Sequence, residues 1–186
     1  AEPPQHPDTY AESYHRGFFA NLERGHPPQK CAANTHDTAS IGGLVTLAPL
    51  VFASHLHGLS LSQVQDIVKQ HLWLTHPDAF LAQIAVIYAQ LLIDLWQRSE
   101  NDSVTQIIAC AGKQSGLDLP ALQQKGRDDR EIIGQMFSSA CYITDSWPSV
   151  LYLAYKYAQD PKKGLLANTN LGGDNVHRGA VLGTLF

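Results

Sequence analysis

The amino-acid sequence predicts an all-α protein, a compact bundle of several helices. Apolar residues recur at steps of three and four along most of the chain, and Ser, Asp, Gly and Pro stand where helices would begin and end. Alternating β-branched runs bounded by turns, which are typical of strands, are nearly absent. With 186 residues, 44% of them hydrophobic and 16% charged, the chain has the size and composition of one domain, residues 1–186, with a buried core.

The first two predicted helices lie in the amino-terminal third. Residues 8–25 form the first, and Thr9 and Glu12 have the spacing of a capping box at its start. Residues 39–58 are apolar on nearly every side, which is typical of a buried helix. Pro49 indicates either a kink in that helix or a later start.

Two longer helices follow. Residues 60–75 form one that begins at a serine N-cap, Ser60 or Ser62. Residues 76–99 form the clearest helix, with Pro77 at the first helical position. Its apolar stripe, at steps of three and four, consists of Phe80, Ile84, Ile87, Leu91 and Leu95.

Shorter helices and a loop are predicted next. Residues 102–115 form a helix capped by Asp102 or Ser103, and residues 117–126 form a short one. The polar stretch 112–130 is the best candidate for a long loop.

Three more elements complete the predicted bundle. Residues 145–160 form a helix that begins near Ser146 and has Pro148 in its first turn. Residues 161–170 form a short helix or a turn, and residues 177–186 form the last helix. The side chains of the 145–160 helix predicted to point inward are Val150, Leu151, Leu153, Ala154 and Tyr157.

Charge and cysteine usage exclude several functional classes. The net charge is −4 and the basic residues are scattered, whereas a nucleic-acid surface needs clustered Lys and Arg. No uncharged apolar run reaches the roughly 18 residues that span a bilayer, so no membrane partner is expected. Three cysteines without CxxC spacing fit reduced thiols in a cytoplasmic protein. The sequence does not indicate an oligomeric state.

The first of three polar clusters at predicted helix entrances is "NTHDTASIGG", residues 34–43. It places Asp37, Thr38 and Ser40 where backbone N–H groups are free, a position that favours anions such as phosphate. Gly42–Gly43 would let a ligand or another helix approach closely. The alternative interpretation is an ordinary N-cap followed by small packing residues.

The second cluster, "LTHPD" at residues 74–78, is best explained by ordinary cap chemistry. Thr75 or His76 would cap the helix that Pro77 starts.

The third cluster is "ANTNLGGDNVHRGAVLG", residues 167–183. Gly172–Gly173 indicates positive φ or a close backbone approach, and Asp174 offers oxygen ligands to a hard cation such as Mg²⁺ or Mn²⁺. Asn170, Asn175 and His177 add hydrogen-bonding groups. The alternative is a sharp turn in which Asp174 is only an N-cap, because one carboxylate does not make a metal site.

At these clusters the chain resembles the ADP-ribosylglycohydrolase family. The resemblance is carried by "LTHPD" before a long helix, by "CYITDSWPSVLYLAYKY" before a turn, and most specifically by "NTNLGGDNVHRGAVLG". The family typically ends its domain with N-x-GGD-x-D-T and a helix of small residues. Order and spacing agree over nearly the whole chain, which is similar to the last two-thirds of a family domain.

The resemblance implies an all-α orthogonal bundle with a cleft that holds two divalent cations, Mg²⁺ or Mn²⁺, and an ADP-ribose-containing substrate. It implies hydrolysis of the glycosidic bond of ADP-ribosylated protein or small molecules, through an oxocarbenium-like state. Asp174 matches the first aspartate of the terminal motif and takes the metal-ligand and catalytic role. The substrate-lining residues it suggests are His36, Asp37, Ser40, Asn170, Gly172, Gly173, Asn175 and His177.

The chain also departs from the family pattern. Val176 and His177 stand where the motif would continue toward its second aspartate and threonine, and Val176 cannot bind a metal. A G-D-x-x-G turn and a T-D-D triplet, expected in the amino-terminal part of the family site, are missing. On its own the 186-residue chain is therefore expected to show little activity and weak metal affinity, and the full-length protein to be the hydrolase. The alternatives are a non-catalytic or structural relative with a degraded metal site and a helical domain without a ligand.

Overall fold

The computed structural model describes residues 11–124 and 128–186 of the chain. This part of the chain contains helices and no strands, which confirms the all-α prediction. The helices are α1 (Ser13–Glu23), α2 (Leu47–Leu56), α3 (Leu61–Trp73), α4 (Ala79–Gln97), α5 (Val104–Gln114), α6 (Leu119–Gln124), α7 (Asp129–Ile132), α8 (Ile143–Lys156), α9 (Pro161–Leu171) and α10 (Asn175–Gly183).

The amino-terminal helices differ in part from the prediction. Helix α1 ends just before Gly25, whose φ of 86° suits glycine, and Thr9 of the predicted capping box lies outside the described residues. The segment predicted as one buried helix is a 3₁₀ turn, Ile41–Leu44, followed by α2. Pro49 is the third residue of α2, so it marks a later start and not a kink. The expected burial on all sides is wrong, because Leu56 is 68% exposed.

Helices α3 and α4 have well-defined caps. Ser60 caps α3 in a capping box with Gln63, as one of the two predicted choices. The predicted start of α4 at Pro77 is wrong. The Asp78 carboxylate accepts a hydrogen bond from the Leu81 N–H, so Asp78 is the cap. Helix α4 therefore begins at Ala79, two residues after the predicted start. Four residues of the predicted stripe face inward, but Phe80, in the first turn of α4, is 46% exposed.

The second half shows more helix than predicted. Ser103, one of the two predicted choices, caps α5. Helix α6 confirms the short helix predicted within residues 117–126 and shows that the loop predicted over 112–130 is wrong there. Helix α7 begins inside that predicted loop and ends two residues beyond it, and Asp118 and Asp128 supply the caps of the two helices. Helix α8 begins at Ile143, so Pro148 is its sixth residue and not part of its first turn.

The remaining predictions concern the last two helices and the inward face of α8. The segment predicted as a short helix or a turn is the helix α9. Helix α10 begins two residues earlier than predicted. Of the five side chains predicted to point inward from α8, four are buried, and Tyr157 is half-buried.

Helices α4 and α8 form the centre of the bundle. Helix α4 packs against α2, α3 and α5, while α8 packs against α5, α6, α9 and α10. The two central helices meet where the rings of Tyr88 and Trp147 lie edge to face, 6.0 Å apart. Helix α4 is long and apolar enough to cross a membrane by length and composition alone, but 56% of its apolar window is buried in this bundle, as expected of a core helix.

Backbone hydrogen bonds bring the first and the third polar cluster together through the segment that precedes α8. Ile41 N–H donates to the Cys141 carbonyl and Ile143 N–H to the Ala39 carbonyl, each at 2.9 Å. These bonds dock the residues before the 3₁₀ turn onto the start of α8. Asp174 N–H donates to the Ser139 carbonyl at 2.9 Å, which places the start of α10 beside the same segment.

Candidate functional site

Two neighbouring cavities lie where α1, the 3₁₀ turn, α8 and α10 converge. One has a volume of about 270 Å³ and the other about 160 Å³, and both are lined by Glu12, Tyr14 and His177. We call the two together the polar cleft. The first cavity is further lined by His36, Asp37, Ser40, Cys141, Tyr142 and Asp174. The second includes Gly42, Gly43, His71 and His76.

Five of the residues predicted to form a site come together here. His36, Asp37, Ser40, Asp174 and His177 all line the first cavity, although they come from opposite ends of the sequence. The structure therefore brings together the polar clusters that the sequence places at 34–43 and 167–183, while the roles assigned to the five residues stay predictions.

The other four predicted residues build the neighbouring turn and do not line the polar cleft. Asn170 is exposed and borders a separate cavity beside Asp129. Gly172 and Gly173 connect α9 to α10 with φ of 68° and 62°. The Asn175 amide donates to the Thr169 carbonyl at 3.0 Å. None of the four lines either cavity of the polar cleft as described, and their predicted substrate-binding roles stay predictions.

Asp174 and His177 form the most polar pair of the cleft. Asp174 caps α10 by accepting a hydrogen bond from the His177 N–H at 3.4 Å, and both carboxylate oxygens lie 3.0 Å from His177 Nδ1. Burial raises the pKa of Asp174, but the hydrogen bond and charge of His177 outweigh burial, so the net pKa is lowered. An ionised carboxylate only accepts hydrogen bonds, so His177 Nδ1 is the donor.

Two more carboxylates face this pair. Glu12 Oε1 lies 3.7 Å from His177 Nε2. The hydrogen bond to Asp174, together with the charges of Asp174 and Glu12, raises the pKa of His177. Asp37 accepts hydrogen bonds from the Ser13 N–H at 2.9 Å and the Thr35 hydroxyl at 2.6 Å. Burial raises the pKa of Asp37, but these bonds lower it overall.

His76, predicted as a helix cap, instead lies inside the fold. It is only 3% exposed, its ring packs 4.0 Å from the Tyr14 ring, and its Nδ1 lies 2.8 Å from the Thr75 hydroxyl. Its Nε2 is buried without a hydrogen-bond partner among residues 11–124 and 128–186. Since an unpaired buried polar atom is costly, this nitrogen points to a ligand or solvent partner in the cleft.

Gly42 lies in close contact with Tyr14 of α1. A Cβ built on Gly42 would lie 2.7 Å from the Tyr14 hydroxyl, 3.5 Å from Ser40 Oγ and 3.7 Å from His76 Nε2. The missing side chain thus lets the Tyr14 hydroxyl pack directly against the Gly42 backbone. This agrees with the close approach of another helix predicted at Gly42–Gly43.

We expect stability to depend on pH through His76. Burial, followed by the charge of His15, lowers the pKa of His76 to about 4, while Asp37 and Glu12 partly oppose the shift. In the unfolded chain the pKa is about 6.5, so between pH 6.5 and 4 the unfolded state binds the extra proton. The free energy of unfolding should therefore fall by up to about 3 kcal/mol as the pH drops through that window.

Urea unfolding at pH 7.0, 5.5 and 4.5 measures this dependence. His76→Gln should flatten the slope between pH 6.5 and 4, whereas His26→Gln, at an exposed histidine, should leave it unchanged. Equal slopes in wild type and His76→Gln would contradict the assignment.

Sequence reasoning missed Glu12, Tyr14 and Cys141 as lining residues. Glu12 was interpreted only as part of a helix cap, and in the structure it is the N-cap residue of α1, with a side chain that makes no capping bond. Its carboxylate is left to face His177. No local pattern marks Tyr14 or Cys141, because their place in the cleft depends on how distant helices dock.

The polar cleft offers part of the donor set that the predicted divalent cations need. Glu12, Asp37 and Asp174 supply the hard oxygen atoms that Mg²⁺ and Mn²⁺ prefer. Across the described ranges, however, no three such side chains converge on one point, and both Asp174 oxygens already face His177 Nδ1. The residues present do not form a complete ligand set, and the two-metal site with Asp174 as a ligand stays a prediction.

A larger groove lies elsewhere on the molecule. It has a volume of about 700 Å³ between α2, α3 and the start of α4, and its lining includes Leu50, Ile67, Trp73 and Leu74. None of the lining residues from the described part of the chain carries a carboxylate. The polar cleft is therefore the better candidate for a catalytic or polar-ligand site.

Comparison with known proteins adds one match. A family model described as ADP-ribosylglycohydrolase matches residues 3–186. No curated protein and no solved structure matches the chain significantly.

Proposed function

This chain belongs to the ADP-ribosylglycohydrolase family, and we propose that its polar cleft binds the ADP-ribosyl group and takes part in hydrolysis of the bond between ADP-ribose and its acceptor. The acceptor is a protein side chain or a small molecule. The observation that carries the proposal is the arrangement of Asp174 and His177 opposite Asp37, beside the unpartnered His76 Nε2.

The residues suit a ribosyl ligand. Ribose hydroxyl groups donate hydrogen bonds, and the ionised carboxylates of Asp37 and Asp174 accept them. Tyr14 and Ser40 line the first cavity and His76 lines the second, and they supply further hydrogen bonds, since each of these groups can pair with a hydroxyl or phosphate oxygen. His177 lowers the negative charge that the carboxylates would otherwise place against a phosphate.

The chemistry proposed is hydrolysis through an oxocarbenium-like state. Water adds to the anomeric carbon as the bond to the acceptor breaks, and the acceptor leaves with a proton. Asp174, kept ionised by His177, stabilises the positive charge that develops on the sugar and orients its hydroxyl groups. Mg²⁺ or Mn²⁺ is proposed as the cofactor of the full-length protein. The free thiols Cys31, Cys110 and Cys141 support the proposed cytoplasmic location.

Binding and turnover are tested separately. Calorimetry with ADP-ribose on the 186-residue chain should show binding, with AMP and ribose 5-phosphate binding more weakly. The full-length protein should release ADP-ribose from an ADP-ribosylated peptide in the presence of Mg²⁺ or Mn²⁺. The absence of both ADP-ribose binding and ADP-ribose release would overturn the proposal. Binding without release in any metal would replace it with a non-catalytic role.

A further inference from the structure

Arg178 is fully buried, with 0% of its surface exposed, at the fourth position of α10. Its guanidinium donates four hydrogen bonds, all to uncharged oxygen atoms. The acceptors are Asn168 Oδ1 at 2.6 Å, the Asn168 carbonyl at 3.4 Å, the Gly172 carbonyl at 2.9 Å and the Ser139 carbonyl at 3.3 Å. No carboxylate of the described part of the chain forms a salt bridge with it. Burial lowers the pKa of Arg178 overall, and it outweighs the charge of Asp174, which acts from beyond salt-bridge distance and raises that pKa. Burying a charge without a close ionic partner is costly.

The acceptors belong to three separate segments. Asn168 lies in α9, Gly172 lies in the turn before α10, and Ser139 precedes α8. Arg178 therefore ties these three segments together beside the start of α10. A planar guanidinium with five N–H donors can reach all three, whereas a lysine ammonium places its donors at a single point.

The Ser139 carbonyl connects this network to the polar cleft. It accepts hydrogen bonds from Arg178 and from the Asp174 N–H, and Gly173 packs directly against it. Asn168 strengthens the arrangement, because its amide nitrogen donates to the Asn175 carbonyl at 2.9 Å. The backbone around Asp174 is thus fixed from both sides, so the direction of its carboxylate depends on Arg178.

We propose that Arg178 is a positioning residue that holds the Asp174 carboxylate, and with it the His177 imidazole, in the orientation used by the polar cleft. Its relevance to catalysis rests on the function proposed above. The geometric claim does not, because the Asp174–His177 hydrogen bond joins two residues of this chain.

The test uses Arg178→Lys, which retains the positive charge but loses the planar guanidinium and its spread of N–H donors. Ser115→Ala is the matched control, because it removes a partly buried hydrogen bond, donated by Trp147 Nε1 at 2.8 Å, away from the cleft. Nitrogen-15 NMR of histidine side chains at one fixed pH, with His177→Gln for assignment, reports the His177 Nδ1–H bond directly. Arg178→Lys should move or broaden this resonance, while Ser115→Ala should leave it as in wild type.

Ligand affinity gives a second measurement. Arg178→Lys should raise the Kd for ADP-ribose by about 10-fold or more, a typical effect of losing a supporting hydrogen-bond partner, and Ser115→Ala should change it less than about twofold. Should Arg178→Lys fail to fold, Asn168→Ser serves in its place, since it removes the 2.6 Å acceptor and keeps the guanidinium.

The two proposals fail in different ways. An unchanged His177 resonance in folded Arg178→Lys would overturn the positioning role even if ADP-ribose binds. Wild type that binds no ADP-ribose would overturn the proposed ligand, and the His177 resonance alone would then decide the role of Arg178.

Discussion

Asp174→Asn is expected to lower the rate of ADP-ribose release by the full-length protein by about 100-fold or more, the usual effect of removing a charge-stabilising group from an active site. Asparagine has nearly the same shape and is also a good N-cap, so α10 should keep its start. The lost feature is the negative charge that faces His177 and the cleft. Steady-state assays and thermal unfolding on the same preparations separate the two effects.

Asp160→Asn is the control for this substitution. Asp160 caps α9 in the same way, accepting a hydrogen bond from the Lys163 N–H at 3.1 Å, but it is exposed and lies outside the polar cleft. It should leave the rate unchanged within about twofold, since it removes a comparable cap charge without touching the ligand. An Asp174→Asn enzyme with wild-type rate would rule out a catalytic role for the carboxylate.

Gly173→Ala should be the most destabilising change in the connection between α9 and α10. A Cβ on Gly173 would lie 2.2 Å from the Ser139 carbonyl oxygen, and φ is 62°. The strain of positive φ costs about 1–2 kcal/mol, and forcing the Ser139 segment aside adds about 1–3 kcal/mol. Because that segment carries the hydrogen bond to the Asp174 N–H, binding of ADP-ribose should weaken together with stability.

The neighbouring glycine provides a matched comparison. Gly172 also has positive φ, at 68°, but a Cβ there would meet no atom within 4 Å. Gly172→Ala therefore carries the backbone strain without the collision and should cost less free energy of unfolding than Gly173→Ala. Urea unfolding of both variants measures the difference. Equal losses would show that the contact with Ser139 is not what requires glycine at position 173.

Local features of this molecule could be predicted from its sequence better than features that depend on long-range contacts. Ser60 and Ser103 were each one of two predicted caps, because a cap depends on a few neighbouring residues. Asp174 is an N-cap, as one of its two interpretations predicted, and it also lines the cleft, while its role as a metal ligand stays a prediction.

What the sequence could not predict depends on tertiary packing. His76 has the local pattern of a cap, yet docking against Tyr14 buries it. Pro148 suggested a helix start, but Ile143, which is bonded to the Ala39 carbonyl, sets the start of α8 earlier. The sequence analysis assigned no role to Arg178, because nothing in the neighbouring sequence shows that its side chain is buried and donates to Ser139, which is far away in the chain.

The polar cleft is assembled from both ends of the described chain, and this has a consequence for folding. Glu12 and Asp37 face His177 and Asp174 only after the whole bundle has closed, so the cleft is made of contacts with very high sequence separation, which form late. A partly folded chain has no cleft, and a ligand of the cleft recognises only the native state. Such a ligand raises the free energy of unfolding by the full amount of its binding, so the melting temperature becomes a quantitative measure of ligand occupancy.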